Sequence, residues 1–421
     1  MEKFFSKRKL LFFTIAFIVF TSLLISRRVD SVTKPQFWAE DGVFWYTEAY
    51  NATNQLQPFF VPKQGYFQTV SRLGGFFSQF FGIAHAPLVF NLLALLVQVL
   101  PPLFFLSKRF EYLVQKKKWR FFLGLLYIGL LGTAETHLNL TNAQWRLAIL
   151  MYLIIIAGNS KKILWNVFDV AFLVLAGLSG PFVFFAFPLA SIYAYFSRKF
   201  KNMKLCLGIL LLTFLIQCYS FLFIVSDATR SKEELGANVI TFFKILAGNV
   251  FVGGILGINY FRKIAHLGLW KNGFLPAVIS LLCSGLLAYV FLKANWEMKL
   301  LLAFCFAVLF AGMLTPMVSL VKPQWSVMAG GSGGRYYLLP KLAWIISLVW
   351  FFAYTQNGKL KKVVGILFLL YFLLGIPSGW IFAKYKDYNF PLQVNKFEQL
   401  KSGENFTFKI NPKWDMALTK K

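Results

Sequence analysis

The sequence predicts an all-α polytopic membrane protein of about eleven transmembrane helices, on three observations. Of 421 residues, 58% are hydrophobic and only 14% charged, against roughly a quarter charged in a soluble domain. Apolar runs of about 16 to 22 residues, enough to cross a bilayer core, recur along almost the whole chain. Lysine and arginine collect in alternate connectors between those runs, the bias that orients a chain in a membrane. The net charge of +28 therefore reads as topology, with no nucleic-acid partner expected. A soluble enzyme and a secreted disulfide scaffold are excluded. Cys206, Cys218, Cys283 and Cys305 lie inside or beside apolar runs and read as small packing residues.

The first run, Leu10 to Ile25, stands behind Lys3, Lys7, Arg8 and Lys9. Ser26-Arg27-Arg28 follows where a signal peptide would carry small residues for cleavage. It is expected to remain as the first span, with its N-terminus cytoplasmic. Further spans are expected at about 86–106, 121–136, 145–158, 163–178, 182–197 and 205–225. Their basic connectors, Lys108 to Arg120, Lys161-Lys162 and Arg198 to Lys204, fall inside. Residues 239–260 are apolar but hold Lys244, Asn249 and Gly253-Gly254. Were they to span, Lys359, Lys361 and Lys362 would land outside, so 239–272 is expected to be re-entrant or to lie on the surface. The last four spans follow at about 274–292, 299–320, 341–355 and 363–382. Residues 1–383 thus form one multispan domain, and 384–421 a short extracytoplasmic tail. The first outer loop, 27–84, is large and is expected to carry short amphipathic helices. No internal repeat aligns, which gives no support to an inverted-repeat transporter.

Polar residues concentrate at three places on the outer side. Four of the 16 acidic residues (Asp30, Glu40, Asp41 and Glu48) fall within nineteen positions of the first loop. Glu40-Asp41 is bracketed by Phe37, Trp38, Phe44 and Trp45. Neighbouring carboxylates raise one another's pKa or share a cation, and either state suits a base acting on a hydroxyl. A juxtamembrane acidic pair beside an aromatic belt explains the same residues. The second cluster, Glu135, His137, Asn139, Asn142, Gln144 and Arg146, lies between spans three and four. Polar groups at that depth must face protein or a wet cavity, so a sugar or phosphate site and a capping connector both fit. The third is Gly330-Gly331-Ser332-Gly333-Gly334-Arg335-Tyr336. Its backbone N–H groups and Arg335 suit a phosphate, and a flexible linker with an interfacial Arg–Tyr anchor is the plainer account.

Other features read as structural. Asp169 sits inside span five, in reach of Lys161 or Lys162 by snorkelling. Glu233-Glu234 lies among Arg230 and Lys232 like a solvated face. The sequons at Asn51, Asn139 and Asn405 carry no weight. There is no phosphate-binding lysine loop, dinucleotide glycine fingerprint, HExxH or GxSxG.

The pattern resembles the GT-C superfamily of integral-membrane glycosyltransferases, bacterial and dependent on polyprenyl-phosphate sugars. The residues that carry the resemblance are Glu40-Asp41 within Phe37 to Trp45, then Asn142-Ala143-Gln144-Trp145 and Gly334-Arg335-Tyr336. Phe408 to Met416 also looks like the closing motif of multispan proteins assigned to that group. The resemblance implies an extracytoplasmic active site that moves a sugar from a polyprenyl-phosphate donor to a cell-envelope glycan or glycolipid acceptor. Membrane lipids would surround it. Asp41 would be general base in an inverting transfer, and Glu40 would orient the acceptor or help Asp41 hold a divalent cation, magnesium or manganese. Arg335, or Arg146, would meet the departing phosphate. Trp38, Glu48, Glu135, His137, Asn142, Gln144 and Tyr336 complete the expected substrate site. A lipid-linked sugar flippase or other transporter, with Asp169 as proton site, and an envelope polysaccharide polymerase are the alternatives.

Overall fold

In the computed structural model, which describes residues 7–224 and 233–421, seven helical stretches are long and apolar enough to cross a membrane. In chain order the helices are α1 (Lys7–Arg27), α2 (Thr69–Ser78), α3 (Gly82–Phe105), α4 (Lys117–Ile128), α5 (Ala143–Ala157), α6 (Ile163–Gly177), α7 (Val183–Phe196) and α8 (Lys204–Phe223). Then come α9 (Val239–Ile255), α10 (Gly257–Ala265), α11 (Phe274–Lys293), α12 (Trp296–Leu314), α13 (Leu338–Tyr354), α14 (Gly358–Leu370) and α15 (Phe390–Glu398). The chain is a helical membrane protein. Arg230 and Lys232, read above as part of a charged face, lie outside the described residues.

Helix α5 is the axis of the bundle. Its sequence is apolar almost all round, and every residue from Ala143 to Ile156 is buried, as a helix without a polar face must be. Fifteen residues rise only about 22 Å, short of the roughly 30 Å hydrocarbon core. Irregular chain before α5 supplies the missing depth. The expected third span does not run to 136: helix α4 stops at Ile128, and 129–142 turns through short loops. Non-helical backbone survives at such depth only when protein covers it, and Thr133, Thr136, His137 and Asn139 are each at most 2% exposed. Helix α12 likewise stops at Leu314, two residues before Pro316, instead of reaching 320.

Buried cations tie the helix ends together. At the close of α1, Arg27 donates to the carbonyls of Ile128, Leu130, Gly379 and Trp380. Lys341 in α13 donates to Leu131 and Gly132 carbonyls at 3.1 and 3.4 Å. At the opposite end, Arg109 grips Asp169 with two bonds of 2.7 and 2.8 Å. Asp169 therefore does not reach for Lys161 or Lys162. Lys199 pairs there with Glu297 at 2.5 Å, and Tyr193 donates to the same carboxylate. Segment α9 begins with Ile240 against Gly273, ahead of α11, and ends with Ile255 against Gly375, near the close of the Gly358–Gly379 stretch that α14 begins. Both ends therefore lie toward the Arg27 end of the bundle.

The tail departs from an all-helical fold. After α15, strands β1 (Asn405–Ile410) and β2 (Trp414–Thr419) pair antiparallel, with Phe408 opposite Met416. Phe408, Ile410, Met416 and Leu418 alternate along the strands and are buried, giving the hairpin one apolar face. That face packs on α15, through Phe408 against Phe390 and Phe397, and on the first loop, through Ile410 and Met416 at Gly42.

Candidate functional site

Three separate stretches of sequence meet at the Arg27 end: the first loop, the 129–146 connector, and Gly334-Arg335-Tyr336. The first loop is built outward from Arg72 in α2. Arg72, 3% exposed, lies over the Trp45 ring, donates to the Val61 carbonyl and pairs with Glu48. Lys63 adds a second bond to Glu48 at 2.8 Å. Against burial, which raises it, these two cations hold the Glu48 carboxyl below its ordinary range. Glu48 therefore belongs to the loop's scaffold.

Asp41 opens a π-helical turn, Asp41–Tyr46, a conformation frequent at functional sites. The turn sends the two neighbouring acids different ways. Asp41 is 1% exposed, and its two oxygens accept the backbone N–H groups of Leu140 (3.0 Å) and Thr141 (2.8 Å). Burial pushes its carboxyl well above the usual range, partly countered by those two amides. Glu40 stays partly exposed, within electrostatic reach of Arg335 and Glu135. Burial raises its pKa, the charge of Glu135 adds to the rise, and Arg335 opposes it. Among the described residues no group of three His, Cys, Asp or Glu side chains is arranged to hold a metal.

Arg335 meets Glu135 twice, through its guanidinium at 2.5 Å and its backbone N–H at 3.2 Å, and also donates to the Met317 carbonyl at 2.6 Å. Both side chains of the pair keep about a quarter of their surface exposed, 26% and 24%. The Tyr336 hydroxyl accepts the Met317 N–H, and its ring stands edge-on to Trp145 at 5.7 Å. Glu40, Glu135 and Arg335 are thus the charged groups with access, and Tyr336 backs them.

The remaining expected residues lie behind that face. Asn139 and Asn142 donate to the Glu135 carbonyl at 2.7 and 3.1 Å, which fixes the connector's shape. Gln144 donates to the Thr141 carbonyl. His137 contacts Gln98 at 3.3 Å and sits edge-on to Phe382. Arg146, 2% exposed, lies over the Tyr127 ring and reaches Thr136 at 3.4 Å. Trp38 stacks on Tyr385, ring centroids 5.2 Å apart, so the tail covers it.

Sequence reasoning missed the tail's place in this site. Asn411 sits between the two strands, and its amide nitrogen donates to Gln36 (3.1 Å) and to the Lys386 carbonyl (2.9 Å). A signal was present: Phe406, Phe408 and Ile410, then Met416 and Leu418, alternate around Asn-Pro-Lys as a hairpin would. The burial of Arg27 and Arg28 was missed too, though an arginine pair at the expected outer end of the first span runs against the charge rule. No family model, curated protein or solved structure matches the chain.

Proposed function

We propose that the protein is a glycosyltransferase of the bacterial cell envelope. It would take its sugar from a polyprenyl-phosphate donor on the extracytoplasmic face, at the Arg27 end of the bundle. The observation that supports this most is the Arg335–Glu135 ion pair, a quarter exposed at the end of the bundle, with the partly exposed Glu40 within its electrostatic reach. In this reading eleven helices traverse the membrane, with α9 and α10 as the re-entrant or surface segment and the basic connectors inside.

Asp41 was the base expected from the sequence. With both oxygens bound to amides, it better suits fixing the connector, and Glu40 takes the base role. Glu40 accepts the proton of the acceptor hydroxyl as that oxygen attacks the anomeric carbon. The bond from that carbon to the phosphate oxygen breaks, and the configuration inverts. Polyprenyl phosphate leaves as an anion, and with a second pKa near 6 it needs no proton from the protein. Arg335 meets its growing charge, while Glu135 keeps the guanidinium aimed. A raised pKa puts Glu40 nearer the working pH, where a base transfers protons best.

The flippase or transporter alternative took Asp169 as its proton site, and Asp169 is clamped by Arg109. The polymerase alternative gains no observation of its own. The test is envelope glycan composition by mass spectrometry in a deletion strain carrying wild type or Glu40→Gln at matched membrane levels. One sugar substituent should vanish on deletion and return only with wild type, since base catalysis of this kind is worth about 10²- to 10⁴-fold. Full restoration by Glu40→Gln overturns the assignment.

A further inference from the structure

We propose that the C-terminal hairpin sets the geometry of the acidic pair, with Asn411 as its positioning residue. The proposal rests on the transferase reading only for its effect on turnover. Backbone bonds, side-chain bonds and close packing carry it. The backbone N–H of Ala39, the residue before Glu40, donates to the Asn411 carbonyl at 2.6 Å, and the Asn411 N–H returns a bond to Phe37 at 3.3 Å. Trp38 and Asn411 thereby form a bridge between the first loop and the hairpin. The Asn411 side chain is fixed in turn by Gln36, by the Lys386 carbonyl, and by the Lys386 N–H donating to its Oδ1 at 2.9 Å. Ile410 and Met416 press on Gly42 from the far side, so closely that a Cβ there would stand 2.7 Å from Ile410 and 3.1 Å from Met416.

Ala39 bears the conformational cost of this arrangement, holding a φ of +43°, a left-handed value that L-residues rarely adopt. Such a turn persists only when its surroundings over-determine it, and here the surroundings are the hairpin. The turn makes the chain enter the π-helical segment with Asp41 pointed at Leu140 and Thr141 and its neighbour Glu40 left toward Arg335 and Glu135. Loosening Asn411 should relax Ala39, weaken Asp41's hold on the connector and let water reach Glu40. The charged groups that act on Glu40 are Arg335 and Glu135, from the two other stretches of the site, and its neighbour Asp41.

The experiment uses the full chain in lipid nanodiscs and compares wild type, Asn411→Ala and Asn411→Asp. The aspartate keeps the acceptor for Lys386 but loses both donated bonds, and it serves if the alanine variant is not recovered. Amide hydrogen exchange should quicken about tenfold at Ala39, Leu140 and Thr141, the loss of about one hydrogen bond's worth of protection. Exchange near Glu297, at the opposite end, should stay at the wild-type rate. In a transfer assay kcat should fall with KM altered less than about twofold, the mark of an interaction made at the transition state. The acid limb of the pH profile should move down toward an ordinary glutamate. Wild-type exchange at the three amides overturns the proposal, and so does quickened exchange with unchanged kcat and pH profile. A wild-type protein without transfer activity defeats the transferase reading, while the exchange rates still decide whether the hairpin holds the pair.

Discussion

Replacing Asp41 by asparagine exchanges one of two acceptor oxygens for an NH₂ group that must face a backbone N–H. The oxygens lie 3.0 and 2.8 Å from the Leu140 and Thr141 nitrogens, and no rotation of the amide serves both. One charge-assisted hydrogen bond is lost, worth about 1.5–3 kcal/mol, and a buried N–H is stranded at a further cost of about 1–3 kcal/mol. A neutral amide is cheaper to bury than a carboxylate, which offsets part of this. The net loss should be about 2–4 kcal/mol, or a fall of several degrees in Tm. Thermal unfolding of purified protein in one detergent, wild type beside Asp41→Asn and Glu40→Gln, measures it. Glu40→Gln should behave oppositely. The Glu40 pKa is raised above its ordinary 4.5, so the stability it contributes is full below that value and is lost as pH rises through the folded pKa. At neutral pH the glutamine variant should therefore melt with wild type or slightly above it. An Asp41→Asn protein that melts like wild type yet has lost activity would refute the argument, because Asp41 would then be acting chemically and not as a fastener.

Three further outcomes are expected. Glu135→Gln removes a negative neighbour that raises the Glu40 pKa and frees Arg335 to face Glu40, so the acid limb of the transfer profile should shift to lower pH. A shift upward would place Glu40 elsewhere. Arg109→Ala strands the Asp169 carboxylate, only 7% exposed, and should cost about 3–5 kcal/mol, whereas a double change to apolar residues of similar volume should recover most of it. Melting curves of the three proteins decide. Gly42→Ala should overpack the hairpin against the loop and cost about 1–3 kcal/mol. Adding Ile410→Val, which removes the nearest methyl group, should restore part of the lost Tm.

Much of this site was legible because its chemistry was already segregated in the sequence. Glu40-Asp41, the Glu135–Arg146 stretch and Gly334-Arg335-Tyr336 stood out as polar islands in an apolar chain, and the fold brings all three to one end of the bundle. Division of labour within each island was not legible. Adjacent residues on a helical turn point roughly 100° apart, so one of Glu40 and Asp41 had to turn inward. Which one does so depends on a left-handed alanine and on the amides of Leu140 and Thr141, a hundred residues away. Asn139, Asn142 and Gln144 were equally ambiguous, since an amide that could bind a sugar also caps a connector, and here it caps. The end of α4 was hidden for a related reason. Apolar sequence continues through Leu131, but Arg27 takes the carbonyls of Ile128 and Leu130, and hydropathy carries no record of that competition.

The placement of the tail follows from the same accounting of buried charge. Arg27 and Arg28 close the first helix, and both are buried. Neither has a carboxylate partner among the ion pairs of the described residues. The far end of the chain supplies part of their surroundings: Arg27 lies over the Phe382 ring, Arg28 over the Tyr385 ring, and Arg28 donates to the Ala383 carbonyl at 3.2 Å. Asp30 then accepts the Tyr385 N–H at 2.8 Å. Once residues 382–385 are bound to the close of α1, the tail emerges beside the start of the first loop and has only a short distance to Gln36 and Ala39. The arginine pair therefore delivers the hairpin to the acidic pair. An acid pair that is symmetrical in sequence becomes unsymmetrical in its surroundings because one side of it is held by the connector and the other by the chain's own end.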